Sequence, residues 1–125
     1  MAMKSSSAER DKRRKKLGAR GERIARFYLR LHGWKILEKN FKNPFGEIDI
    51  IAKKRDTVAF IEVKTRLSDI FGLPSEAVTR QRKLKYISGA NYYFAGREID
   101  CTARFDIIEV YRGKLRHIEN AFCAQ

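Results

Sequence analysis

Asp49, Glu62 and Lys64 are the residues whose types and spacing best support chemistry, as Asp-x12-Glu-x-Lys across GEIDII (46–51) and FIEVKTR (60–66). Both segments alternate with the period of a strand. In the first, Glu47, Asp49 and Ile51 share a face; in the second, Val58, Phe60, Glu62 and Lys64 share one, opposite Ala59, Ile61 and Val63. Paired as a hairpin across the polar turn at 53–56, the two strands bring Asp49 and Glu62 to one side. Two carboxylates held together out of bulk water repel, and one takes up a proton unless a cation lies between them. Mg²⁺ accepts one or two carboxylates completed by waters and phosphate oxygens. A lysine beside such an ion can orient the attacking water or stabilise negative charge developing on phosphorus. The spacing therefore contains the minimal equipment for hydrolysing a phosphodiester. Taken alone it also fits a Glu62–Lys64 ion pair on a solvated sheet face, worth only ~0.2–1 kcal/mol.

The elements that must position these side chains are legible from periodicity. Residues 17–31 read as an amphipathic helix with Leu17, Gly21, Ile24, Tyr28 and Leu31 on one face and Ala25 and Leu29 at its edge. Gly33 follows as a C-terminal stop, with His32 beside it as a capping or surface residue. Strands are expected at 34–41, 47–52 and 57–65, then a loop at 68–74. A helix capped by Thr79 runs to about residue 95, with Leu84, Ile87, Asn91 and Phe94 inward. A last strand pair, 103–111 and 115–118, flanks a turn at Arg112-Gly113. The order αβββαββ predicts an α/β domain with a mixed sheet and helices packed on it.

The chain has 125 residues, 28 Lys and Arg against 15 Asp and Glu, and a formal charge of +13. Residues 1–16 carry +5, read as a flexible basic arm, and residues 17–125 carry +8, so the charge belongs to the domain as well. A hydrophobic content of 43% with eight Phe excludes a disordered polycation. No apolar run is long enough for a membrane span, and the basic start leads into no apolar stretch of a signal peptide. Cys101 and Cys123 form no ligand spacing with His32 or His117, which argues against zinc and suits a reducing cytoplasm.

Several motifs now line up in order: Gly18, Gly21 and Glu22 in the first helix, HGWKIL with Asn40, GEIDII, EVKTR, Gly72 with EAV (76–78), and RFDIIEV (104–110). Over about residues 17–111 the chain resembles the PD-(D/E)xK nuclease superfamily, and more closely the bacterial YraN family, which is related to archaeal Holliday-junction resolvases. The resemblance implies a restriction-endonuclease-like sheet flanked by helices. It also implies Asp49 and Glu62 as ligands of Mg²⁺ or Mn²⁺, Lys64 as the catalytic lysine, and Glu22 as the first-helix acid of the resolvase-like branch. Junction-resolving relatives act as dimers, so a homodimer is implied by analogy. Ile48 stands where the superfamily's name has proline. Gln81 and Tyr86 lack the spacing of the Gln-Tyr motif of some exonucleases.

Phosphate contacts are expected from Arg66, just past the lysine strand, and from Arg80, Arg82, Lys83 and Lys85, which have no acid among them. On the wheel, Arg82 and Lys85 point away from the apolar side and Lys83 flanks it. Tyr92 and Tyr93 suit base stacking, core edge or a subunit interface equally. Asp106 reads as a satisfied structural acid. The expected function is a metal-dependent endonuclease acting on DNA, branched DNA included, with no membrane and no small-molecule substrate. Two alternatives are a nucleic-acid-binding module that keeps a nuclease fold without catalysis, and a basic RNA-associated structural protein. The acid cluster separates them from the enzyme, because carboxylates repel a polyanion and add nothing to a phosphate-binding scaffold.

Overall fold

Alternating apolar residues in three successive segments, joined by two tight turns, build an antiparallel meander. In the computed structural model, which describes residues 7–66 and 80–122 (side chains 11, 13 and 14 excepted), the order is αβββαββ. The elements are α1 (Ser7–Leu31), β1 (Lys35–Asn43), β2 (Gly46–Lys54), β3 (Thr57–Thr65), α2 (Arg80–Phe94), β4 (Thr102–Tyr111) and β5 (Lys114–Phe122). The expected loop at 68–74, the Thr79 cap, the Gly72 and 76–78 motifs and Cys123 lie outside the described residues. One expected boundary is corrected: α1 begins at Ser7 rather than at residue 17, so residues 7–16 of the basic segment are helical. Among the described residues, no helix is long and apolar enough to cross a membrane.

The five strands form one sheet in the order β1-β2-β3-β4-β5, antiparallel except for the parallel pair β3–β4. That parallel step is the mixed character expected, and α2 lies in the connection between its strands. The hairpin turns use left-handed residues. Arg112 and Gly113 have φ of 44° and 77°, the two-residue turn whose twist matches its flanking strands. At the β1–β2 turn the Phe45 N–H donates to Asn43 Oδ1 at 2.9 Å.

Each sheet face buries its own core. Ile48, Ile51, Val58, Phe60, Phe105 and Ile107 pack with Tyr86, Ala90 and Tyr93 of α2. Ile50, Ala52, Ala59, Ile61 and Ile108 pack with Ala25 and Leu29 of α1. Both helices meet the sheet on a face rotated from the expected one. In α1 the buried stripe is Gly21, Ala25 and Leu29, while Leu31 is 69% exposed. In α2 it is Tyr86, Gly89, Ala90 and Tyr93, while Leu84 is 52% exposed. The reason is close approach. A Cβ on Gly21 would overlap the Thr65 side chain, and one on Gly89 would lie 2.9 Å from Ile48 Cδ1. Small residues let helix and sheet draw together, and hydrophobicity ranking cannot see that. Tyr93 is consequently core, whereas Tyr92 is exposed.

Asp106 is the satisfied structural acid expected, at 0% exposure. Arg104 donates to both its oxygens at 2.9 Å, the Asn120 N–H donates at 2.9 Å, and His117 Nε2 lies 2.8 Å away. A carboxylate only accepts, so Nε2 carries the proton and Nδ1 faces Tyr28 Oη at 3.3 Å. Burial opposes ionisation, but His117, Arg104 and Asn120 outweigh it and hold the Asp106 pKa below the ordinary carboxylate value. Its contribution is therefore complete above the unfolded-state pKa near 4 and is lost as pH falls through the lowered folded value. Asp106→Ala should cost about 3–5 kcal/mol, read as a lowered urea midpoint at neutral pH, because it strands buried donors. A midpoint unchanged from wild type would show that the network does not hold the sheet edge.

Candidate active site

The site forms where α1, β2, β3 and α2 converge at the ends of the two central hairpin strands. Pairing of β2 with β3 runs from Lys54↔Thr57 to Ile50↔Ile61 and stops there, freeing the next residues on each strand, Asp49 and Glu62. Asp49 turns back to accept the Val63 N–H through Oδ2 at 2.8 Å. Burial is the main cause that raises its pKa, to about 7; the Val63 bond opposes this, and the charges of Glu22 and Glu62 add to it. Glu62 is 2% exposed. Its Oε1 meets Arg82 Nε at 2.6 Å and Lys64 Nζ at 3.7 Å, while Oε2 is buried with no hydrogen-bond partner among the described residues. Lys64 therefore shares the face of Glu62 as alternation requires, with a longer approach than Arg82 makes.

Glu22 stands one helical turn before Ala25 and Arg26, next to the buried stripe of α1, and is half-buried. Desolvation raises its pKa, Glu47 adds to the rise, and Arg26 and Asn40 oppose it. With its amide turned to donate, Asn40 Nδ2 reaches both Glu22 Oε2 and Glu47 Oε1 at 3.0 Å. Asn40 lies between the pairs Lys39↔Ile50 and Phe41↔Ile48, opposite Asp49, with φ of 51°. Across this point the parity of β2 changes: Ile48 packs toward α2 with Ile51, and Ile50 packs toward α1. The simple alternation that put Glu47, Asp49 and Ile51 on one face is corrected accordingly. Asparagine tolerates left-handed backbone, so the chain can turn there with its amide between Glu22 and Glu47.

Asn40 is the positioning residue that pattern reading missed; it entered only as one letter of a motif, and its role depends on a contact between a strand and a distant helix. Asn40→Ala removes the donor shared by two carboxylates and the residue best suited to positive φ. Glu22 and Glu47 then lose their common tether. A destabilisation of about 1–2 kcal/mol by urea denaturation is expected, relieved by Asn40→Gly only in its backbone part. Equal stability of both variants with wild type would remove Asn40 from the site.

The basic residues separate in space. Arg82 and Lys85 line a cleft of about 320 Å³ together with Glu47, Asp49 and Tyr86. This corrects their expected direction: Arg82 is one turn before Tyr86 on the sheet-facing side, so its side chain reaches Glu62 instead of turning away. Tyr86 is buried; burial, then Asp49 and Glu62, push its phenol pKa well up. Arg80 is exposed at the start of α2, and Lys83 is half-buried without lining this cleft. Arg66 lies apart, 3.4 Å from Glu109. Among the described residues, no three carboxylate, imidazole or thiol side chains are already gathered around one point. The Asp49–Glu62 pair is the donor set that remains.

Residues 21–110 match the family described as "Uncharacterised protein family UPF0102". The chain belongs to the UPF0102, or YraN, family. A UPF0102 protein of Thermodesulfovibrio yellowstonii is 52% identical over 108 residues, covering 85% of this chain and 95% of that one. Another, of Clostridium acetobutylicum, is 47% identical over 115 residues, with 86% and 94% coverage. A third, of Geobacter metallireducens, is 43% identical over 113 residues, with 86% and 93% coverage. The match to UPF0102 takes in Glu22, Asn40, Asp49, Glu62, Lys64 and Arg82, so every residue of the candidate site lies within the family region.

Proposed function

We propose that this UPF0102 protein is a metal-dependent nuclease of PD-(D/E)xK type that hydrolyses phosphodiester bonds in DNA. The observation that carries the reading is the buried Glu62 carboxylate, one of whose oxygens has no partner among the described residues, beside an Asp49 whose pKa is raised to about 7. A protein of net charge +13 gains nothing from such a cluster unless a cation completes it. The donors suit Mg²⁺ or Mn²⁺, hard ions that take one or two carboxylates and keep several waters. Asp49 and Glu62 would hold the ion, with Glu22 close enough to add its charge at Asp49. When bound, such an ion polarises the phosphate and lowers the pKa of a coordinated water.

The chain's own groups do the rest. Lys64 Nζ, on the face of Glu62, orients the attacking water and stabilises charge developing on the phosphate oxygens. Arg82 supplies Glu62 with positive charge and, from the rim of the cleft, a guanidinium for the backbone of the strand being cut. Lys85 and Arg80 extend that contact along α2, and binding through phosphates makes affinity fall steeply with salt and depend little on sequence. The test is cleavage of linear, nicked and branched DNA with Mg²⁺, with Mn²⁺ and with chelator, beside Asp49→Ala. Cation-dependent cutting lost in the variant is expected. Cutting that persists in chelator or in Asp49→Ala overturns the proposal, and DNA binding with no cutting of any substrate favours a binding module on this fold.

A further inference from the structure

A second cleft, of about 420 Å³, opens between the middle of α1 and the ends of β3 and β4. It adjoins the carboxylate cluster along two chain segments. Gly21 lines it one residue before Glu22, and Thr65 and Arg66 line it directly after Lys64. Three guanidiniums border it, those of Arg20, Arg66 and Arg112, and none of its lining residues is acidic. Glu109 behind Arg66 is fully buried and also engaged by Arg116 at 2.6 Å, so it leaves the cationic character of the rim in place. Among the described residues, Arg66 Nε and Thr65 Oγ1 are buried there without hydrogen-bond partners. Leu17 and Ile24 make the other wall apolar, and Tyr111 lies buried beneath the Arg112 guanidinium, which sits over its ring at 5.3 Å.

A cationic rim over an apolar wall matches a phosphorylated nucleoside. Guanidiniums take phosphate oxygens as paired donors, and apolar side chains take the faces of base and sugar. The volume lies in the range of small-ligand sites, roughly 300–1,000 Å³. A base stacked inside a duplex cannot enter such a cleft, whereas an unpaired one can. We propose that this cleft receives one unpaired nucleotide of the strand being cut, its phosphate on Arg20, Arg66 and Arg112 and its base against Leu17 and Ile24. The assignment rests on the nuclease reading for its placement beside the cut and deepens it by naming the substrate class. Strands with unpaired residues next to the scissile bond, as at flaps, gaps and branch points, are favoured over continuous duplex.

The test reads binding rather than cleavage, so its outcome stands apart from the fate of the catalytic assignment. A labelled oligothymidylate is titrated by fluorescence anisotropy in chelator, against wild type, Arg20→Glu, Arg112→Glu and Leu17→Trp. Lys39→Glu, an exposed charge reversal on β1, serves as the control for net charge. Affinity should fall about tenfold or more for both arginine variants beyond the loss in the control. Leu17→Trp, which fills the cleft without changing charge, should weaken binding to a similar degree. Losses no greater than in Lys39→Glu, with Leu17→Trp like wild type, overturn the proposal. So does dTMP binding as tightly as the oligonucleotide, since the occupant is then a free nucleotide. Tighter binding of continuous duplex than of the single strand would overturn it as well.

Discussion

Lys64→Ala is expected to lower cation-dependent DNA cleavage by about 10²–10³-fold while leaving DNA affinity nearly unchanged. The expectation follows from where the ammonium sits. Lys64 Nζ is 3.7 Å from Glu62 Oε1, too far for a tight ion pair, and its side chain is 26% exposed. It stabilises the resting protein little, so its removal should not unfold the sheet, and one cation among the many basic groups adds little to overall binding. On the proposed reading its effect is confined to the reacting phosphate, where a positioned charge acts on the transition state alone. Lys64→Arg should not restore the rate, because a planar fork does not reproduce a compact ammonium. Asp49→Ala and Glu62→Gln should each abolish cutting, and their combination should cost little more than either alone, since both serve one ion. Single-turnover cleavage beside a binding titration measures both quantities. A Lys64→Ala protein that cuts at the wild-type rate removes the lysine from the chemistry; one that loses binding and cutting together makes it a phosphate contact.

Asp49→Asn should make the cation-free protein more stable above pH 7, by on the order of 3–4 kcal/mol, with the gain vanishing near pH 4. Burial is the first cause of the raised Asp49 pKa, about 7 folded against an ordinary 3.8. Between these values the native state holds a proton that the unfolded chain has released. Stability therefore falls as pH rises through that window and levels off above it. Asparagine keeps the oxygen that accepts the Val63 N–H and removes the ionisation. The same linkage predicts the response to divalent ions. Mg²⁺ or Mn²⁺ should raise the melting temperature of the wild type strongly at pH 8 and weakly at pH 5, where Asp49 is protonated, and should leave Asp49→Asn nearly unmoved. Thermal unfolding across pH, with and without the ion, checks both halves. A wild-type melting temperature indifferent to divalent ions at pH 8 would argue that the two carboxylates are not a cation site.

A positive group already stands beside Glu62, where the proposed cation would bring its charge. Arg82 reaches 2.6 Å from Glu62 Oε1, although its side chain is half exposed. The same guanidinium opposes the rise at Asp49 but does not cancel the cost of burial, and the Asp49 pKa stays raised, at about 7. The contrast with Asp106 makes the same point. Asp106 is more buried than Asp49, yet Arg104, His117 and Asn120 donate to it, and its pKa is lowered where that of Asp49 is raised. Satisfied acids hold a fold together, and under-satisfied acids on a cleft are available for a ligand.

The order of elements and the facing of Glu62 with Lys64 were determined by the sequence alone, because they depend on neighbours in the chain. Strand alternation is a two-residue property, a left-handed turn at Arg112-Gly113 is a local one, and together they place αβββαββ and the meander. The resemblance through GEIDII and EVKTR led to a family that the match over residues 21–110 bears out. What neighbours along the chain could not decide is how closely two surfaces approach. Gly21 and Gly89 let the helices sink onto the sheet, rotating both buried faces away from those that hydrophobicity selects and leaving Leu31 and Leu84 outside. That rotation carries Arg82 into the carboxylates and sets Glu22 against Asn40. The change of parity at β2 likewise needs its partner strand, since Asn40 opposite Asp49 adopts a backbone that no alternation rule anticipates. Sequence determined which groups face the same way along one element; only packing between elements decided which of them meet.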